Sequence, residues 1–132
     1  MGKNELLIEK KEHIATLTLN RPRQKNALTR DLLVRIHLNL QKLARAGPVR
    51  AVVLTGGAGK VFSAGYDIGA LPVDPDSETR DLLKSRNPLE LALESIRNFP
   101  CPIVAMINGH AFGAGLNLAT ACDLRVACPD IK

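Results

Sequence analysis

The chain has 132 residues, of which 45% are hydrophobic and 23% charged, and a formal net charge of +5 at pH 7. This composition is typical of one globular domain with its own core and excludes a disordered chain. Aromatic residues make up only 3% and Trp is absent, which argues against an aromatic platform for stacked nucleic-acid bases.

The positive charge is concentrated in the first fifty residues, which suggests nucleic-acid binding as one alternative. These charges are spread over several predicted elements, however, and do not form one basic block. Cys101, Cys122 and Cys128 lack the spacing and the His partners of a zinc site, so we predict no metal and expect reduced thiols. No apolar run has membrane-spanning length and no signal peptide is evident, so we predict a cytoplasmic protein.

The first third of the chain predicts a hairpin followed by a long helix. Leu6 to Ile8 and Ile14 to Leu19 are short apolar segments with a polar link between them, as in two paired strands. Asn20-Arg21-Pro22 ends the hairpin, because proline cannot extend a ladder. Thr29 is a suitable N-cap for the helix, and Gly47-Pro48 stops it. His37 lies off the predicted apolar face of this helix, so we expect it to be solvated; that face consists of Leu33, Ile36, Leu40 and Leu43, reinforced by Leu32 and Ala44.

The middle of the chain predicts a buried strand, a glycine-rich loop and a second helix. Val49 to Thr55 is apolar, and the loop from Gly56 to Ile68 ends in a start compatible with a helix. Leu71 to Glu78 is acidic and interrupted by prolines, so we predict a mobile pocket rim there. Asn87 with a proline after it and Glu90 three residues on predicts the N-terminus of the second helix.

The last third predicts another strand, Ile103 to Ile107, a turn of small residues, and a helix with Phe112, Leu116 and Ala119 along one face. A short strand at Leu124 to Val126 follows. A glycine turn between strand and helix presents free backbone N–H groups, and these can stabilise an oxygen that becomes negatively charged. The two glycine-rich loops could each supply one N–H to a single oxygen.

Phosphate-binding loops are the alternative use of such sequences. A P-loop ending at Gly59-Lys60 would need Gly at position 54 and Ser or Thr at position 61, where Leu54 and Val61 stand. The dinucleotide fingerprint fails in both loops as well, because Phe62 and Leu118 occupy the positions of its last glycine.

Four segments in register resemble the crotonase family, the enoyl-CoA hydratases and isomerases. They are Asn20-Arg21-Pro22, Asn26-Ala27-Leu28, Phe62 to Asp67, and Asn108-Gly109 through Asp123. The resemblance covers nearly the whole chain, from about Leu7 to Ala127. Alternation of strands and helices alone would suggest a doubly wound α/β sheet. The resemblance instead implies an α/β fold of the crotonase type, a ββα spiral or superhelix.

The resemblance also implies that residues 1–132 form a single crotonase-like domain that corresponds to the N-terminal portion of the family's fold. The chain has about half the family's usual extent. It is therefore expected to be truncated before the C-terminal helical part, which covers the acyl pocket and forms trimer contacts in the family.

In the resembling enzymes two backbone N–H groups bind the thioester oxygen of an acyl-CoA. The matching positions here are Tyr66 and Ala114, which we predict as oxyanion donors. The resemblance further assigns substrate binding to a set of residues in and around the two loops, with Arg23 and Lys25 at the CoA phosphates and Ala64 at the adenine end: Arg23, Lys25, Ala64, Gly65, Asp67 and Gly113. Asp67 has the alternative role of capping a helix after the loop.

The chain departs from the hydratases at Asn117, the third predicted catalytic position, where the family has a glutamate. An amide cannot remove a proton from water near neutral pH, although it can orient a water or a substrate. The hydratases' second catalytic carboxylate lies in sequence beyond Lys132, and Glu90 and Glu94 lie on an earlier helix and do not match it.

The predicted function is therefore that of an acyl-CoA-binding, crotonase-like enzyme in fatty acid metabolism, a lyase or isomerase that hydrates an enoyl-CoA or isomerises its double bond. Coenzyme A enters as part of the substrate, and no separate cofactor is predicted. A homo-oligomer, a trimer or hexamer in the family, is expected, with neither membrane nor nucleic acid as partner. Two alternatives remain: a non-catalytic CoA-binding or assembly subunit with the same fold, and an RNA-binding relative.

Overall fold

The computed structural model describes residues 4–69, 77, 80–81, 84 and 86–131 of the chain. Leu71 to Glu78, the acidic segment predicted as a pocket rim, lies outside the described residues except for Ser77. Within the described part, strands and helices alternate as the sequence predicts.

The described strands are β1 (Leu6–Lys11), β2 (Ile14–Leu19), β3 (Ala51–Thr55), β4 (Val61–Ser63), β5 (Ile103–Ile107), β6 (His110–Ala111) and β7 (Leu124–Ala127). The described α-helices are α1 (Arg30–Ala46), α2 (Pro88–Arg97) and α3 (Ala114–Ala121), and a 3-10 turn covers Pro22–Gln24. None of the helices in this part of the chain is long and apolar enough to cross a membrane.

Five of the strands form one sheet in the order β1-β2-β3-β5-β7. β1 and β2 are the antiparallel arms of the predicted hairpin, and each further pair is parallel. Parallel strands need crossover connections, which α1, α2 and α3 provide in turn. β4 and β6 pair in a separate parallel sheet of two strands. The chain therefore repeats a strand–strand–helix unit, with β1-β2-α1 followed by β3-β4-α2 and β5-β6-α3.

The two long helices begin where the sequence predicts. Thr29 Oγ1 accepts a hydrogen bond from the Leu32 amide at 3.0 Å, and Asn87 Oδ1 accepts one from the Leu89 amide at 2.9 Å. Asn87 Oδ1 also accepts from the Glu90 amide at 3.4 Å, so the caps satisfy one free amide of α1 and two of α2. α1 also has the predicted apolar face, and its buried members are Leu32, Leu33, Val34, Ile36, Leu40 and Leu43.

The helix predicted to start in the first glycine-rich loop is not present at that place. Val61–Ser63 forms β4 instead, and Tyr66 makes an isolated parallel bridge with Leu28. Phe62 is fully buried and fixes this segment to the core. The pairing of β4 with β6, which is distant in sequence, overrides the local pattern of small residues.

The apolar face predicted for α3 is wrong in two of its three positions. Phe112 lies before the helix, and both Phe112 and Leu116 are 49% exposed. The buried residues of α3 are Ala114, Gly115, Leu118 and Ala119. The helix docks through small residues because its first turn lies directly against β4, where a larger side chain has no room.

His37 was predicted to be a solvated residue of α1, and this is also wrong. Its side chain is buried between α1 and α2, where Nδ1 contacts the Ser95 hydroxyl. The Ser95 hydroxyl in turn donates to the Leu91 carbonyl at 2.9 Å. His37 thus makes a polar contact between α1 and α2, from a position outside the apolar face of α1.

The two faces of the main sheet differ. The row Leu17, Leu54 and Ala105 lies on the core face and is buried. On the opposite face the apolar side chains are partly open among the described residues, with Met106 46% and Val126 62% exposed. These two residues are register partners on β5 and β7. The described part of the fold therefore leaves apolar surface on one side of the sheet.

Candidate active site

The first predicted donor lies in residues 64–67, here named the Tyr66 loop. The Ala64 amide donates to the Lys25 carbonyl at 3.0 Å. Leu28 donates to the Gly65 carbonyl at 2.7 Å and accepts from the Asp67 amide at 3.0 Å. In this parallel bridge Leu28 uses the groups on both sides of Tyr66, so the amide of Tyr66 itself points away from Leu28.

The second predicted donor lies in residues 112–115, here named the Ala114 turn. Gly113 has φ +53° and reverses the chain so that α3 starts at Ala114. The Gly115 amide donates to the Phe112 carbonyl at 2.9 Å, and the Asn117 amide donates to the Gly113 carbonyl at 3.1 Å. The Ala114 amide is the first N–H of α3, so α3 contains no preceding carbonyl to which it could donate.

The Tyr66 loop and the Ala114 turn are in direct contact. A Cβ atom placed on Gly65 would lie 2.9 Å from the Phe112 carbonyl oxygen and 3.5 Å from the Ala114 nitrogen. The Phe112 amide also donates to the Ser63 carbonyl at 3.0 Å. Gly65 has φ +96°, a conformation that L side chains rarely adopt. The space beside the Ala114 amide thus depends on a glycine at position 65.

Both candidate amides remain available. Among the described residues, neither the Tyr66 nor the Ala114 amide donates a hydrogen bond in the loops, turns and helix caps. Two neighbouring loops that each leave one amide without a protein acceptor offer donors to an acceptor from a ligand. A carbonyl oxygen that gains negative charge is such an acceptor.

The side chain of Tyr66 adds a further polar group. It is 47% exposed. Burial raises the pKa of its phenol above the ordinary value, Arg30 acts against this, and Glu90 adds to it. The phenol is therefore protonated at neutral pH and can donate a hydrogen bond.

Asn117, the residue at the family's glutamate position, lies exposed on the first turn of α3. Its side chain makes no hydrogen bond with the described residues, so the side-chain amide group is free to bond to a ligand or water. The backbone carbonyl of Asn117 accepts from the Thr120 hydroxyl at 3.2 Å. The structure thus brings Asn117 to the same helix terminus as the Ala114 amide, three residues along the chain.

Of the remaining predicted binding residues, Arg23 and Lys25 are exposed, whereas the side chain of Asp67 is already hydrogen-bonded within the protein. Arg23 and Lys25 are exposed in the loop that follows β2, and only the backbone of Lys25 contacts Ala64. Asp67 is engaged elsewhere, because Oδ2 accepts from Arg21 Nη1 at 2.9 Å and Oδ1 accepts from the Gly69 amide at 3.0 Å. Asp67 caps no helix among the described residues, because Ile68 and Gly69 after it form a turn.

Two asparagines that carried no predicted role connect the loops. The Asn108 side chain accepts from the Gly56 amide at 2.9 Å and donates to the Gly59 carbonyl at 2.7 Å. Asn26 donates to the Gly56 carbonyl at 3.0 Å and is 3% exposed. The signal for both was in the sequence, since each asparagine stands at a turn within a segment that resembles the family.

Comparisons with known proteins identify the family of this chain. The family model for enoyl-CoA hydratase/isomerase matches residues 9–130. This chain belongs to that family. YngF of Bacillus subtilis, provisionally named an enoyl-CoA hydratase/isomerase, is 40% identical over 130 residues, 96% of this chain and 48% of YngF. The short-chain-enoyl-CoA hydratase of Clostridium acetobutylicum is 34% identical over 132 residues, 100% of this chain and 49% of that enzyme.

Solved structures lead to the same family. An enoyl-CoA hydratase from Bacillus anthracis superimposes with a TM-score of 0.78 at 31% identity, covering 93% of this chain and 47% of that one. The crotonase-like spiral predicted from the sequence is confirmed, and the fold is not a doubly wound sheet. The chain spans about half the length of the curated relatives and the solved structure that it matches.

Proposed function

We propose that this chain binds an acyl-CoA and polarises its thioester carbonyl between the backbone amides of Tyr66 and Ala114. The single observation that carries the proposal is the contact between their loops, in which a Cβ at position 65 would lie 3.5 Å from the Ala114 nitrogen. Two free amides at one place form an oxyanion hole, and each donor in such a hole is worth about 3–4 kcal/mol of barrier.

The proposed substrate class follows from the family and from the two relatives whose names specify enoyl-CoA hydratases. In the whole protein we expect hydration of an enoyl-CoA or isomerisation of its double bond. Both reactions pass through negative charge on the thioester oxygen, which the two amides would stabilise. Asn117 would contribute hydrogen bonds to substrate or water and no proton transfer.

The CoA moiety would extend from the Tyr66 loop towards the loop after β2. Ala64 is exposed and bonded through its amide to the Lys25 carbonyl, so an adenine at Ala64 would lie beside Arg23 and Lys25. Phosphate binding by these two side chains would make affinity fall with added salt. Coenzyme A would be held as part of the substrate, and no separate cofactor enters the proposal.

The second candidate function is a non-catalytic CoA-binding or assembly subunit. The observation that favours it is Asn117, because an amide stands where the hydratases have their first acid/base group. Under this alternative the fold would bind CoA without activating the thioester.

We also propose a cytoplasmic homo-oligomer. Met106 and Val126, on the open face of the main sheet, are 46% and 62% exposed, and apolar surface of this kind promotes association. Light scattering of the purified chain would test this, and a monomer at high concentration would contradict it.

Isotope-edited infrared spectroscopy of a bound acyl-CoA with a labelled thioester carbonyl separates the two functions. We expect the carbonyl stretch to move to lower frequency on binding, because two donors weaken the C=O bond. An acyl-CoA that binds with an unshifted carbonyl would instead support the non-catalytic subunit. Absence of binding by folded protein, with binding of RNA in a parallel titration, would contradict both.

A further inference from the structure

Two of the four segments that resemble the family, Asn20-Arg21-Pro22 and Asn26-Ala27-Leu28, have no ligand-binding role in the proposal above. In the structure both segments contact the Tyr66 loop. Leu28 pairs with the backbone on either side of Tyr66, and Arg21 reaches the side chain of Asp67. These segments therefore support the loop that carries the first proposed donor.

Arg21 makes most of the connections. Its side chain is 10% exposed, and Nη1 donates to Asp67 Oδ2 at 2.9 Å and to the Ala27 carbonyl at 2.6 Å. Nε donates to Glu5 Oε1 at 3.3 Å. The Arg21 backbone amide donates to Asn26 Oδ1 at 2.8 Å. One guanidinium thus joins the start of β1, the loop after β2 and the residue that follows Tyr66.

Asp67 is fixed on three sides. Oδ2 accepts from Arg21, Oδ1 accepts from the Gly69 amide at 3.0 Å, and its own amide donates to the Leu28 carbonyl at 3.0 Å. Gly65, on the other side of Tyr66, is bonded through its carbonyl to the Leu28 amide at 2.7 Å. Because both neighbours of Tyr66 are fixed, the direction of the Tyr66 amide is fixed as well.

The charges in this cluster have a second consequence. A carboxylate one residue from Tyr66 would repel negative charge that develops on an oxygen bound to the Tyr66 amide. The guanidinium of Arg21 lies against that carboxylate, also pairs with Glu5, and is largely shielded from water, so it offsets part of the repulsion. A purely structural tether would need no charge of either sign at this place.

We propose that Arg21 and Asp67 are positioning residues that aim the Tyr66 amide at the thioester oxygen, with Arg21 also neutralising the carboxylate beside it. This inference rests on the proposed oxyanion hole. It assigns Asp67 to the support of the hole and removes it from the candidates for proton transfer, because both of its oxygens are occupied.

The test uses the infrared shift of a bound, labelled thioester carbonyl in two variants with opposite expectations. Arg21→Met leaves the carboxylate without its cation, so we expect the shift to fall by at least half relative to wild type. Asp67→Asn keeps one acceptor oxygen and removes the negative charge, so we expect a shift equal to wild type or larger. Glu94→Gln, which breaks the exposed Arg86–Glu94 ion pair on α2, is the control and should leave the shift unchanged.

The outcomes are separable. If wild type shows no shift, the proposed oxyanion hole itself fails. If wild type shifts and the two variants lose the shift equally, Arg21 and Asp67 act only by positioning the loop and the neutralising role is overturned. If neither variant changes the shift, the positioning role is overturned too. Should Arg21→Met fail to fold, Arg21→Lys keeps the charge without the fork, and an intermediate shift supports the proposal while an unchanged one contradicts it.

Discussion

The Tyr66 loop is held by side chains from elsewhere in the chain, whereas the Ala114 turn is held by the absence of side chains at its own positions. Arg21 reaches the first through its hydrogen bond to Asp67, and the Arg21 backbone amide is itself held by the Asn26 side chain. The second docks because Gly115 has no Cβ, which would lie 2.5 Å from the Ser63 carbonyl oxygen. The comparison teaches that one site can combine an adjustable support with a rigid one.

The two supports should respond differently to change. A hydrogen-bonded loop loses position gradually as single contacts are removed, because the remaining contacts still restrain it. A turn docked by close backbone contact has no such reserve, since close-packed atoms cannot move aside without shifting a whole element. Four measurements test this contrast.

The largest effect is expected on the reactivity of Cys122, at the C-terminal end of α3. Burial raises the pKa of this thiol to about 12, with Asp123 adding to the rise and Arg125 acting against it. At pH 8 only about one Cys122 in 10⁴ is then the reactive thiolate, against about a quarter of free thiols of ordinary pKa.

Iodoacetamide should therefore modify Cys122 about 10³-fold more slowly than a free thiol of ordinary pKa, and much more slowly than Cys128, which is exposed in the same chain. Mass spectrometry of the labelled peptides over time measures both rates at once. The Cys122 rate should increase as the pH approaches 12, because the thiolate then accumulates. Equal rates at pH 8 would mean that α3 is not docked as described.

The next effect is on folding. Gly115→Ala should lower the free energy of unfolding by about 2–3 kcal/mol, because the added Cβ meets the backbone and Cβ of Ser63 and neither can move aside easily. Urea denaturation measures this. Gly59→Ala is the matched control, since nothing lies within 4 Å of a Cβ there. A loss in the control as large as in Gly115→Ala would contradict the docking argument.

A smaller and more local effect is expected at the contact between the two segments. Gly65→Ala should weaken acyl-CoA binding by about 10-fold, because its Cβ would enter the space beside the Ala114 amide. Gly57→Ala is matched for backbone strain, as Gly57 has φ +84° but lies outside the site. Calorimetric titration of both variants should show the binding loss only for position 65, and a similar loss at both would point to strain alone.

Sequence reasoning located the Ala114 turn and the Tyr66 loop but not what supports the first of them. The glycines of both segments are visible in the sequence and indicate where the backbone turns sharply or packs closely. A backbone N–H donor requires only such a turn and no particular side chain. The partner of Arg21 could not be read from the sequence, because Asp67 is 46 residues away and many other carboxylates were equally available. The α3 face was mistaken because the small residues that dock it, Gly115 among them, carry no apolar signal.

The error at β4 has a similar origin. Small residues after a strand are locally compatible with a helix start, and nothing nearby indicates that residues 61–63 pair with His110 and Ala111 instead. His37 was misplaced because its contact, Ser95, lies on another helix. Local periodicity thus predicted which elements exist, and the long-range contacts decided how the loops between them are held.

The smallest effect is expected when a carboxylate is restored at Asn117. In the proposed oxyanion hole the two supports would position donors for the thioester oxygen, but they would not supply a group that moves a proton. General acid/base groups each contribute about 10²–10⁴-fold, and in the resembling hydratases a second carboxylate lies in the half of the protein that this chain does not match. Hydration of a short enoyl-CoA by wild type should accordingly be close to undetectable.

Asn117→Glu should increase that rate by less than about 10-fold, because one carboxylate acts without its partner and without the wall of the acyl pocket. Loss of the conjugated thioester absorbance measures turnover, and Asn117→Gln, with the same size as Glu but no charge, is the control. Robust turnover by wild type would mean that another group of this chain activates water. Asp67 could then serve only by leaving Arg21, so Asp67→Asn would abolish that turnover, and the positioning role assigned to Asp67 would be wrong.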